Sequence, residues 1–128
     1  MIGGDPLVSV LVIDDDALIC QLLRDTLEKA GYRVYVALTG IEGVRQVCAQ
    51  SIDLVITDIL MADMDGLEVV QVLHRDFPYL RIIAISGGST GFDYCAVAKL
   101  LGAHEVLTKP FELQQLLDAV ARQVDKTI

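Results

Sequence analysis

The chain has 128 residues, 53% of them hydrophobic and 22% charged, with a formal net charge of −8. That length and composition predict one folded domain with a sizeable core and no separate output module. The acidic balance argues against direct nucleic-acid binding, because polyphosphate attracts basic faces.

Taken in chain order, residues 1–6 (Met1-Ile2-Gly3-Gly4-Asp5-Pro6) lack the basic start of a secretory signal and are expected to form a flexible extension. No apolar run reaches the length of a membrane span, so the cytoplasm is the expected location. Strands are predicted at 8–13, 33–38, 53–57, 81–86 and 104–107, each a short run rich in Val and Ile followed by a segment with helical spacing. The first helix would turn Ile19, Leu22, Leu23, Leu27 and Ala30 to the core before Gly31 stops it, with Asp16 as its N-cap. Helices two and three would start at Thr39 and Asp65, each three residues before a glutamate in a capping-box pattern. The last helix would bury Leu113, Leu116, Leu117, Val120, Ala121 and Val124. Five βα units with right-handed crossovers predict a doubly wound α/β fold with a parallel sheet.

Cys20, Cys48 and Cys95 are odd in number, show no C-x-x-C spacing and lie in apolar helical contexts, so buried reduced thiols are expected rather than disulfides or zinc. His74 and His104 have no second ligand at metal spacing and read as solvated or structural. Ser86-Gly87-Gly88-Ser89-Thr90 has the look of a phosphate cradle but lacks the lysine of a P-loop.

In doubly wound folds, ligands bind outside the carboxyl ends of the strands. Asp14 and Asp15 follow strand one, Asp58 closes strand three, Ser86 ends strand four and Lys109 follows strand five, so all should converge on one site. Two carboxylates about 5 Å apart repel by roughly 3 kcal/mol at an effective dielectric near 20. Three together need a cation to stay ionised, and Mg²⁺, which takes carboxylate and phosphate oxygens, suits them.

The chain resembles the receiver domains of two-component response regulators, typified by the chemotaxis response regulator. The matching pieces are Val10-Leu11-Val12-Ile13-Asp14-Asp15-Asp16, the run from Asp53 to Met61, Met64-Asp65-Gly66, Ile85-Ser86-Gly87-Gly88 and Lys109-Pro110-Phe111. The resemblance implies a flavodoxin-like fold with strand order 2-1-3-4-5 and a single receiver domain. It implies that Asp58 accepts a phosphoryl group from the phosphohistidine of a sensor histidine kinase or phosphotransfer protein. Asp15 and Asp58 would ligate Mg²⁺ directly, Asp14 would act through metal-bound water, and the Leu60 carbonyl would supply a further oxygen. Lys109 would pair with phosphoryl oxygens and Ser86 would hydrogen-bond to another. The Lys109-Pro110 bond would be cis.

Such a domain is a signalling element that catalyses its own phosphotransfer and slow autodephosphorylation, and it acts on a downstream partner or fused output domain. Its switch region would comprise Ser86, Gly87, Gly88 and Val106. Two positions depart from the family pattern: Val106 stands where an aromatic ring is usual, and Ala62 where many relatives carry Pro. The segment from Phe92 to Leu101 carries only Asp93 and Lys99 as charges, so an apolar helix-four face could serve a partner or a homodimer. Two other readings are a phosphorylation-independent pseudo-receiver, which the complete acid, serine and lysine set opposes, and an aspartate-nucleophile phosphatase, whose D-x-D motif is absent at Asp58-Ile59-Leu60.

Overall fold

The computed structural model describes residues 7–61, 65–87 and 94–125. The expectations for residues 1–6, Ala62, Met64, Gly88, Ser89, Thr90, Phe92 and Asp93 lie outside the described residues. The elements are β1 (Ser9–Ile13), α1 (Ala17–Lys29), β2 (Arg33–Ala37), α2 (Gly40–Ala49), β3 (Leu54–Asp58), α3 (Gly66–Asp76), β4 (Arg81–Ser86), α4 (Tyr94–Leu101), β5 (Glu105–Thr108) and α5 (Leu113–Val124). The strands form one parallel sheet in the order β2-β1-β3-β4-β5, as expected.

Both faces of the sheet are covered, which is why the central strands read as nearly continuous apolar runs. Alternation along each strand splits the core in two. Leu11, Ile13, Val55, Ile82 and Ala84 pack with residues of α2, α3 and α4, whereas Val10, Val12, Ile56, Ile83 and Ile85 pack with α1 and α5. Among the described residues no helix is long and apolar enough to cross a membrane.

Helix starts follow the local chemistry with two changes. Asp16 caps α1 through its Oδ1, which accepts the Leu18 N–H at 2.9 Å, and Thr39 caps α2 by accepting the Glu42 N–H at 3.0 Å. Asp65 caps α3 but accepts the Leu67 N–H, two residues on, instead of the third. A reciprocal capping box forms instead at α5, where the Glu112 N–H donates to Gln115 Oε1 at 2.8 Å.

Several predicted core positions are corrected. Leu22 and Ala30 of the first helix and Leu113 and Ala121 of the last are exposed, because the buried stripes narrow to Cys20, Leu23 and Leu27 and to Leu116, Ala119, Val120 and Gln123. Cys20 alone is a buried thiol; Cys48 is exposed and Cys95 half-buried. Strand three runs from Leu54, one residue after the expected start, while Asp53 before it donates its N–H to the Ser9 carbonyl at 2.9 Å and accepts the Ser9 N–H on its carboxylate at 2.8 Å. Buried Gln123 was invisible as a core residue. Its side-chain oxygen accepts from Arg81 at 2.7 Å and its amide donates to Glu105 at 3.2 Å, so the polar group is satisfied on both sides.

Candidate functional site

The carboxyl ends of β1, β3, β4 and β5 meet as the topology requires. Asp14 and Asp58 are buried, Ser86 is buried at the end of β4, and Asp15 beside them is exposed. The structure brings one carboxylate oxygen each from Asp14, Asp15 and Asp58 within 4.8 Å of one another. Lys109 Nζ lies 3.5 Å from Asp58 Oδ2.

The backbone holds these groups in place. Asp14 donates its N–H to the Ala37 carbonyl at 3.1 Å, which anchors the β1 end to β2. Its carbonyl accepts the Cys20 thiol at 3.3 Å, and its Oδ1 accepts the Asp16 N–H at 2.9 Å. Asp14 Oδ2 is left buried with no hydrogen-bond partner among the described residues. Such an atom in a native interior takes its partner from outside the protein, a water or an ion. The donor set is three hard carboxylate oxygens with no sulfur or imidazole, which fits Mg²⁺ better than a soft metal.

Electrostatics point the same way. Burial pushes the Asp14 carboxyl above the usual carboxylate range; the Asp16 N–H opposes this and the charge of Asp58 adds to it. Burial also raises Asp58, with Lys109 and then the N–H groups of Leu60 and Ile59 pulling it back. The Cys20 thiol is pushed up to about 11, chiefly by burial and then by Asp14, so it remains protonated and donates.

The segment after Asp58 is clamped from both sides. The Ile59 N–H donates to the Ile85 carbonyl at 3.0 Å, and the Ile59 carbonyl accepts the Gly66 N–H at 2.7 Å. A Cβ at Gly66 would overlap the Asp58 carbonyl and the Ile59 backbone, so only glycine lets α3 start this close to Asp58. Gly66→Ala is expected to lower stability by about 1–3 kcal/mol through backbone displacement, read as a lower urea midpoint with an unchanged slope. A midpoint equal to wild type would show that the contact is not tight.

Leu60 follows this clamp with its side chain exposed. On the other side, the Lys109 N–H donates to the Ser86 carbonyl at 2.8 Å, so the serine and the lysine share one backbone bond. The Lys109-Pro110 bond is cis. Gly87 is exposed, and half-buried Val106 packs on the α2–α4 side of the core along with Tyr94 and Leu101. Sequence reasoning missed the support from Cys20 and Gly66. The thiol looked like ordinary core, and the glycine was visible only as part of a motif.

Comparison with known proteins adds the family. Residues 10–121 match the model of the response regulator receiver domain. The DNA-binding dual master transcriptional regulator RpaA of Synechocystis sp. is 35% identical over 126 residues, covering 92% of this chain and 49% of that protein. The chain spans about half or less of the length of the curated relatives it matches. A CheY-like response regulator receiver domain protein from Methanospirillum hungatei superposes with a TM-score of 0.90 at 27% identity, covering 95% of this chain and 97% of that one. The response regulator TrrA from Thermotoga maritima, solved in complex with Mg²⁺ and BeF, gives a TM-score of 0.82 at 27% identity, covering 91% of this chain and 99% of that one.

Proposed function

The chain belongs to the response regulator receiver domain family, and from that premise we propose that it is a single phosphoacceptor domain of two-component signalling that receives a phosphoryl group on Asp58. The observation that carries this reading is the buried Asp58 carboxylate, 3.5 Å from Lys109 and clustered with Asp14 and Asp15, beside an Asp14 oxygen that has no protein partner.

The donor is a phosphohistidine on a sensor histidine kinase or phosphotransfer protein. An Asp58 oxygen attacks phosphorus; the new O–P bond forms as the P–N bond breaks, the electron pair stays on the departing ring nitrogen, and the proton on the donor's other ring nitrogen lets the imidazole leave neutral. Lys109 favours the ionised form of Asp58 against the opposing effect of burial and then pairs with phosphoryl oxygens. Ser86, at the end of β4, donates its hydroxyl to another. Asp15, Asp58 and the Leu60 carbonyl would hold Mg²⁺, with Asp14 reached through water. Bound there, the ion would neutralise charge among the carboxylates and the phosphoryl oxygens. The Mg²⁺ and BeF held by TrrA support this assignment.

The domain is a signalling element with slow self-catalysed dephosphorylation, placed in the cytoplasm with its kinase. Output passes to a partner protein or a fused output domain and involves no nucleic-acid contact by this domain, whose charge is −8. The pseudo-receiver alternative is not favoured, because every acid and base of the set is present and gathered.

The test is direct. With Mg²⁺ and acetyl phosphate, intact mass should rise by one base-labile phosphoryl group, mapped to the peptide containing Asp58. No gain from acetyl phosphate or from phosphohistidine donors would overturn the reading.

Activation should be felt most in the segment running from Ser86 into α4. Val106 is a short β-branched side chain with no ring to swing, and α4 carries Leu100 at 86% exposure as a face for a partner or a second copy. In amide exchange of beryllofluoride-treated against untreated protein, the largest change is expected from Ser86 to Leu101. A change centred on Glu105–Thr108 with that segment unaltered would place the output route in β5.

A further inference from the structure

His104 lies between α4 and β5, and its ring takes over a hydrogen bond at the start of β4. The Ile82 N–H donates to His104 Nδ1 at 3.0 Å, while the backbone N–H of His104 donates to the Ile82 carbonyl at 2.8 Å. Only a ring nitrogen without a proton accepts an N–H, so this arrangement requires neutral imidazole protonated at Nε2.

The chain's other histidine meets it. His74, in the last turn of α3, packs edge-on against His104 with ring centroids 6.3 Å apart. The His74 ring also lies against Gly102, whose φ is +126° and where a Cβ would overlap that ring. The N–H groups of Gly102 and Ala103 both donate to the Ala98 carbonyl and so end α4. The ends of α3 and α4 and the starts of β4 and β5 are thereby joined through two imidazoles.

We propose that this pair is an acid-sensitive latch on the connection between α4 and β5, closed when His104 is neutral and opened when it is protonated. Protonation turns Nδ1 into a donor facing the donor N–H of Ile82 and breaks that bond.

The charged neighbours on the packed elements are mostly cationic or paired. Arg75 follows His74 on α3 and is paired with Asp76; Lys99 lies in the last turn of α4; Arg81 precedes Ile82 on β4 and binds Gln123. The adjacent carboxylate, Glu105 on β5, is bound by Arg122 through both oxygens. The unfolded chain takes the proton near the ordinary histidine value of about 6.5. It therefore binds more protons than the folded chain, and the latch's contribution is present above that value and lost as pH falls below it.

This goes beyond phosphotransfer and is tested without it. His104→Asn keeps an acceptor oxygen close to the position of Nδ1 but cannot titrate. Between about pH 7.5 and about pH 5.5, wild type should lose roughly fivefold in its folding equilibrium relative to the variant, the worth of one neutral hydrogen bond. Comparison with the variant cancels the pH dependence of the acid cluster. His74→Gln should retain most of the loss, because it leaves the Ile82 bond intact.

In wild type alone, the Ile82 amide should lose exchange protection at the lower pH more than its β4 neighbours do. Equal pH dependence in wild type and His104→Asn would overturn the latch. If the variant does not fold, an Ile82 amide whose protection is untouched while the His104 ring titrates would overturn it as well.

Discussion

Asp58→Asn is expected to abolish phosphoryl uptake while leaving the fold intact. A carboxamide lacks the anionic oxygen that attacks phosphorus, and the nearest alternative acceptors are worse placed. Asp15 is exposed, and the ion pair with Lys109 is made by Asp58, while Asp14 has one oxygen committed to the Asp16 N–H. The neutral side chain should not unfold the domain, because burial already disfavours the charged form of Asp58. Losing the ion pair with Lys109 costs little, since the ammonium group is partly exposed and can be hydrated. Intact mass after incubation with Mg²⁺ and acetyl phosphate reads the result. If Asp58→Asn gained the same phosphoryl group as wild type, another residue would be the acceptor.

The site was legible because a parallel sheet converts sequence order into spatial order. Acids after β1, an acid closing β3, a serine ending β4 and a lysine after β5 can only gather at one edge once the strand order is β2-β1-β3-β4-β5. The order of strands and helices was readable for a related reason: covered sheet faces make apolar runs, and each helix brings its own period and cap.

Other features depended on the third dimension. Asp14 and Asp15 are adjacent and chemically alike, but only Asp14 is buried, because its N–H continues the pairing with β2 while the chain turns outward at Asp15. No spacing rule distinguishes them. Gln123 and His104 are polar residues that satisfy distant groups, Arg81 and the Ile82 N–H, and such long-range pairings leave no periodic signal. Helix faces were read too wide, since Leu22 and Leu113 are apolar yet lie at the border where the helix meets solvent. Those two flank a cavity of about 290 Å³ that also touches Lys109, Pro110 and Phe111.

Asp14→Asn should change stability and metal binding in opposite directions, and the sign depends on pH. In the metal-free protein, Asp14 and Asp58 are buried carboxyls with oxygens within 4.8 Å of each other. At an effective dielectric near 20 that separation costs about 3 kcal/mol when both are charged, reduced by the ammonium of Lys109. The folded Asp14 carboxyl titrates above 3.8, its unperturbed value, so its contribution is fully present below that pH and is lost as pH rises through the raised folded value. Metal-free wild type is therefore penalised at neutral pH, and the asparagine is not. Asparagine can still accept the Asp16 N–H through Oδ1, and its amide nitrogen, replacing the orphaned Oδ2, donates toward the remaining acids. Without metal at neutral pH, the variant should be more stable by roughly 1–3 kcal/mol, and the gain should shrink as the pH approaches the carboxylate range. With Mg²⁺ the order should reverse, because wild type gains about 2.7 kcal/mol at a hundredfold excess over its Kd and the variant, with its site weakened, gains less. Urea unfolding with and without Mg²⁺ measures both effects. A metal-free variant less stable than wild type at neutral pH, with Mg²⁺ stabilising both proteins equally, would mean that the three acids do not share one ion.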